Sequence, residues 1–231
     1  MKRNFIKLDK KHIAEYSGKE ILILWYIHNN YISLTNKCSF KLSDLIVACG
    51  YSPYHNKTNQ EFIETLNKLI EKNIIETKSP IDSKNILYFN YVVTDNKSFF
   101  DNLNSFICCN SSEIQTFIHA KENKMLTCKL DIVIQLYYYL KSFIYELNEF
   151  KFCYPSVSFI CKNLKSSNKT IVKALKDLET LSFIYKYQFG TYENTDGKVV
   201  FVPNIYAFEH YDNIELQRQF TARLTKFKKW L

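Results

Sequence analysis

The chain repeats itself. FIETLNKLIEKNIIE (62–76) falls on IVKALKDLETLSFIYK (from 171), with Leu66 on Leu175, Leu69 on Leu178 and Ile75 on Ile184. Upstream, FIKL (5–8) matches FIHA (117–120), and LILWYIHN (22–29) falls on IQLYYYLK (134–141). The offset shrinks from 112 to 109, so the first copy holds a short insertion, for which residues 54–58 are the natural place. Two copies of one unit predict two like domains, each burying its own apolar stripe.

Each copy reads in the same order. A strand-like FI-x-x precedes a long apolar helix (18–30 and 129–145), a short second helix (42–49 and 156–163), a turn, and a third helix (59–72 and 168–181). A hairpin closes each copy. In the first it is IIETK, a turn SPIDSKN, and ILYFNYVV; in the second it is FIYKYQF, a turn through NTDGK, and VVFV. The Asp196-Gly197 pair is a strong hairpin signal. Residues 94–116 read as a partly helical linker that packs Phe99, Phe100, Leu103 and Phe106. Leu216, Phe220, Leu224, Phe227 and Leu231 share one face of a basic amphipathic C-terminal helix (211–231), which would pack on a domain, contact DNA or mediate assembly.

Composition sets the class. With 46% apolar and 16% aromatic residues, the chain can bury real cores. Its net charge of +8 favours an acidic partner such as nucleic acid or an anionic membrane surface. Seven cysteines, an odd number with no C-x-x-C pair, read as reduced core thiols and imply a cytoplasmic protein. No secretory signal is visible, and the longest apolar run (21–27) is too short for a bilayer, so no membrane association is expected. His12, His28, His55, His119 and His210 are scattered without metal-ligand spacing. The Gly-Lys pairs at 18–19 and 197–198 lack the upstream glycine of a phosphate loop. A non-enzymatic protein without metal or cofactor is expected.

Charge is unequal between the copies. Residues 151–190 carry seven lysines against Asp177 and Glu179, whereas 40–79 carry five lysines against five acids. In the second copy Lys169, Lys173 and Lys176 form a stripe nearly opposite Ile171, Leu175 and Leu178 on the third helix. A solvated face is the plain reading of such a stripe, and a phosphate-facing surface is the functional one. The third helix of the first copy shows Glu61, Glu64, Lys68 and Glu71 instead, which would repel phosphates.

The stretch PSVSFICKNLKSSNKTIVKALKDLETLSFI, followed by a hairpin, resembles the winged-helix version of helix-turn-helix. The resemblance extends to residues 18–93, where the lengthened turn GYSPYHNKTNQ departs from the pattern. It implies an α+β, mainly α, fold of two tandem winged-helix domains with a C-terminal amphipathic helix. The domains would span 1–93 and 117–210, with the linker at 94–116. A third helix of this type lies in the major groove with its N-terminal residues nearest the bases. Candidate DNA-contacting residues are therefore Lys165, Ser166, Ser167, Asn168, Lys169, Thr170, Lys173 and Lys176, with Asn194 and Lys198 at the wing tip. Asn168 suits adenine and the lysines suit phosphates or guanine, while Ser166 or Ser167 would alternatively cap the helix.

A tandem winged-helix chain is similar to iteron-binding plasmid replication initiators, and its second copy to winged-helix domains of phage and primosomal DnaD-like proteins. That implies double-stranded DNA as partner, with homodimerisation or a replication-machinery protein engaging the first domain. A transcriptional repressor would use the same helix and wing, adding a sensing pocket or a dimerisation helix. A protein-interaction module is the reading from a different class.

Overall fold

The computed structural model describes residues 5–30, 37–77, 80–81, 86–91, 106–144, 150–224 and 226–231. It divides into two compact units, Met1–Tyr138 and Tyr139–Leu231.

The first unit is built on α1 (Gly18–Asn30), whose run ILIL is apolar on every side and is fully buried. Against it lie α2 (Leu42–Ala48), burying Leu42, Leu45 and Ile46, and α3 (Asn56–Glu71), burying Phe62, Leu66 and Leu69. β2 (Lys37–Lys41), β3 (Ile75–Thr77) and β4 (Ile86–Tyr91) form an antiparallel sheet in the order β2-β4-β3. β2 alternates exposed and buried residues, as a strand covering a core on one face does. Two ion pairs tie the first turn of α1 to α3, one near its start and one at its C-terminal cap: Lys19 Nζ lies 2.6 Å from Glu61, and Lys72 Nζ lies 2.6 Å from the buried Glu20.

A second, two-stranded sheet pairs β1 (Phe5–Asp9) with β5 (Phe106–Asn110), Phe5 opposite Asn110. β5 runs directly into α4 (Ser111–Glu122) through a capping box formed by Asn110 and Glu113. The Glu113 carboxylate also accepts hydrogen bonds from the Tyr137 and Tyr138 hydroxyls, at 2.8 and 3.1 Å, on α5 (Leu130–Lys141). Gly18 starts α1 against the α5 backbone: a Cβ there would clash with the Asp131 carbonyl oxygen. The division between the units falls within α5.

In the second unit the chain continues through β6 (Phe152–Cys153), α6 (Val157–Leu164), α7 (Asn168–Thr180), β7 (Tyr185–Tyr187), β8 (Thr191–Glu193), β9 (Val199–Phe201), β10 (Ile205–Ala207), α8 (Asn213–Thr221) and β11 (Lys229–Trp230). One sheet has the order β6-β10-β7 and the other β11-β8-β9. Phe152, Tyr187, Ile205, Ala207, Leu216 and Phe220 form a core cluster between the first sheet and α8. Each unit thus has a strand, two helices and a further strand before the strand that becomes central in its sheet, β4 in the first and β10 in the second, with the β8–β9 hairpin inserted before β10 in the second.

Several expectations need correction. FIHA (117–120) is helical, within α4, because the cap at Asn110 starts a helix whose Ile114, Phe117 and Ile118 are buried at helical spacing. The strand of this region is FICCN, so residues 106–116 form part of the first unit rather than a linker. Phe99, Phe100 and Leu103 lie outside the described residues, as does most of the turn after β3. α3 begins at Asn56 and absorbs much of the proposed insertion.

In the second unit, the strand at 199–201 pairs with β8, and β7 pairs with β10 instead. Gly190, with φ of +77°, and Pro203 break the two strands of the hairpin at one level, and the Val202 N–H donates to the Gly190 carbonyl across the break at 3.0 Å. The C-terminal helix stops at Thr221 and does not reach residue 231. Packing of Trp230 against Phe189, Tyr192, Phe220 and Phe227, together with pairing of β11 to β8, outweighs continued helical periodicity.

Candidate nucleic-acid interface

The candidate surface is built from α6, a three-residue turn and α7. Ser156 caps α6 by accepting the Phe159 N–H at 3.2 Å, and Ile160 and Leu164 are buried beneath it. Lys165 ends the helix in the left-handed region, φ 49° and ψ 40°. The Ser166 N–H then donates to the Cys161 carbonyl at 3.1 Å, and its hydroxyl donates to the Leu164 carbonyl at 3.2 Å. Ser167 caps α7 by accepting the Thr170 N–H at 3.2 Å, with the two hydroxyls 2.8 Å apart. Ser166, Ser167 and Thr170 therefore shape the turn and the helix start.

Beyond the cap, α7 separates its faces cleanly. Ile171, Ala174, Leu175 and Leu178 are buried, and Asn168, Lys169, Lys173 and Lys176 are exposed. Asp177, one of the two acids counted against this region, is buried at 2% exposure. From Asn168 to Lys176 the exposed face carries three ammonium groups and no carboxylate. Sequence reasoning missed Val172 on this face, which is 49% exposed. Its spacing from Asn168 was the available signal. Lys162 and Lys165 are exposed just upstream and extend the basic surface.

Lys165 occupies a conformation that costs an L-residue roughly 1–2 kcal/mol and glycine nearly nothing. Lys165→Gly should therefore raise the unfolding free energy by about 1 kcal/mol in urea titration while weakening DNA binding. Loss of stability, or unchanged DNA affinity, would count against this account of the turn.

The β8–β9 hairpin carries the other two candidates. Asn194 is 9% exposed, and its Oδ1 accepts the N–H groups of Asp196 at 3.0 Å and Lys198 at 2.8 Å. It builds the turn, as an Asx side chain commonly does. Lys198 is exposed. β11 lies alongside β8 and brings Lys228 and Lys229 within 2.6 and 3.3 Å of Glu193, while Lys226 lies 3.1 Å from Asp196. Hydrogen bonds from Lys228 and Lys229 hold the Glu193 carboxyl below its ordinary pKa. Both hairpin carboxylates are thereby screened by lysines from the C-terminal segment.

In the first unit the corresponding helix face is different. Glu61 is held below its ordinary pKa by a hydrogen bond from Lys19, so it belongs to the α1–α3 contact. Glu64 and Glu71 are exposed, with Glu64 accepting from Gln60 at 3.1 Å.

Two helices joined by a tight turn, the second capped and basic on its free side, define a helix-turn-helix domain. Residues 136–184 match a family model described as a helix-turn-helix domain, a span that contains all of α6 and α7. No curated protein matches the chain. The helix-turn-helix domain points to DNA as partner. Among the described residues, no helix is long and apolar enough to cross a membrane.

Proposed function

We propose that this chain is a sequence-specific double-stranded DNA-binding protein, acting by binding rather than catalysis, that initiates plasmid or phage replication at origin repeats. The observation that carries the DNA reading is α7, whose exposed face bears Asn168 at its start and Lys169, Lys173 and Lys176 along its length with no acid among them. Lys198 on the β8–β9 hairpin would add a backbone contact. Tandem winged-helix domains are part of this reading, supported by the shared strand order of β2-β4-β3 and β6-β10-β7. Glu64 and Glu71 on α3 suit the first unit to homodimerisation or to a replication-machinery protein better than to phosphate. A cytoplasmic location belongs to the same reading and is supported by the odd number of cysteines, seven, with no C-x-x-C pair among them.

A transcriptional regulator is the second reading. What favours it is a cavity of 520 Å³ in the first unit, lined by Trp25, Tyr26, Asn29, Ala48, Ser111 and Gln115 among others, within the size range of small-molecule sites. The deciding experiment is to recover the fragments of its own genome that the purified protein retains. Origin-adjacent repeats support the initiator, a divergent promoter supports the regulator, and no retention leaves a protein-interaction module. On the recovered site, Asn168→Ala should cost ~1–3 kcal/mol, with little change on random duplex. Equal weakening on both would remove Asn168 from base reading.

A further inference from the structure

Five side chains of α7 between residues 168 and 176 are exposed: Asn168, Lys169, Val172, Lys173 and Lys176. Four are polar or charged. Val172 is the exception, and its 49% exposure sets it apart from Ile171 and Ala174, both fully buried. Four residues separate it from Asn168 and four from Lys176, so it lies about 40° around the helix from each. A β-branched residue is a slightly poorer helix former than the lysines beside it, so helix stability does not call for it here. Flanking ammonium groups also make this a poor seat for an apolar protein partner.

The occupant of a basic helix face that does offer an apolar group is duplex DNA. On the base edges of the major groove, that group is the C5-methyl of thymine. We infer that Val172 reads a thymine methyl in the bound site, an inference that rests on α7 entering the major groove. Four residues of α-helix advance about 6 Å, and base pairs are stacked about 3.4 Å apart, so the thymine lies within about two base pairs of the one facing Asn168. With Asn168 suited to adenine, the two side chains together select an A·T-containing step.

The test begins with the duplex that the purified full chain retains. Each thymine in turn is replaced by deoxyuridine, which removes the methyl alone, and affinity is measured by titration. At the position facing Val172 in each recognition site, the parent protein should bind about fourfold more weakly, the value of one buried methyl. Val172→Ala should lose a similar factor on the thymine duplex and show no further loss with deoxyuridine. Its unfolding midpoint should be no lower than the parent's, because the side chain is about half exposed and alanine is the better helix former. Deoxyuridine tolerated at every position, or a deoxyuridine loss that persists undiminished in Val172→Ala, overturns the inference while leaving DNA binding intact. Failure to retain any duplex overturns the DNA reading and this inference with it. The deoxyuridine arm needs no protein variant, so it stands whatever the variant's stability.

Discussion

Replacing Lys169, Lys173 and Lys176 together with alanine should flatten the log–log salt dependence of duplex binding by about 2.7, at about 0.9 for each phosphate deprived of its ammonium partner. Affinity should fall for cognate and random sequences alike, since phosphate contacts carry no sequence information. Folding should survive, because all three side chains are exposed and alanine is the better helix former. The residues buried beneath, Ile171, Leu175 and Leu178, are untouched. An unchanged slope would reduce the stripe to a solvated surface and withdraw α7 from the interface. Parallel titrations at several salt concentrations decide the matter, because affinity at one ionic strength does not separate charge from other contacts.

A second large effect is expected in the first unit. Gly18→Ala should destabilise the first unit by about 3 kcal/mol, at the upper end of what overpacking usually costs. The added Cβ would clash with the Asp131 carbonyl oxygen and meet its carbon at 2.5 Å and its Cα at 2.7 Å, all of them backbone. Neither side gives way readily. α1 is buried along its apolar run, and α5 is anchored through the hydrogen bonds of Tyr137 and Tyr138 to Glu113. The chain has two tryptophans, so a Trp230→Phe background leaves buried Trp25 as a reporter of the first unit in urea titration. An unshifted midpoint would mean that α1 and α5 do not approach this closely.

Much of the helical layer was legible from spacing alone. α1, α2, α6 and α7 start and stop within a residue or two of their expected bounds, since α1 carries a continuous apolar run, the others an apolar stripe, and two are announced by a serine cap. The strands were harder. FIHA and FICCN are both short and apolar, and only the Asn110-to-Glu113 spacing distinguishes which one is the helix. β11 was missed because two residues carry no period, and what recruits them is an aromatic cluster gathered from three other stretches of chain.

At the candidate surface, Ser166 and Ser167 were open to two readings in the sequence, base contact or helix cap, and the cap is the one the structure shows for Ser167. Ser166, Ser167 and Asn194 carry the chemistry of base readers, and the structure engages each in local backbone hydrogen bonds. Val172 went unremarked because an apolar residue beside Ile171 reads as core. Only the burial of one and exposure of the other separates them.

The pairing of β1 with β5 has a consequence for the order in which the chain acquires its structure. Phe5 meets Asn110, so the two-stranded sheet closes only across nearly the whole first unit. Contacts so distant in sequence carry a large closure entropy and slow folding, whereas α6, α7 and the β8–β9 hairpin join near neighbours. On a ribosome, β1 emerges before its partner exists and must wait, unpaired, until residue 110 has been made. Its FIKLD strand, with Ile6 and Leu8 destined for burial, is therefore the segment of the first unit most open to mispairing during synthesis.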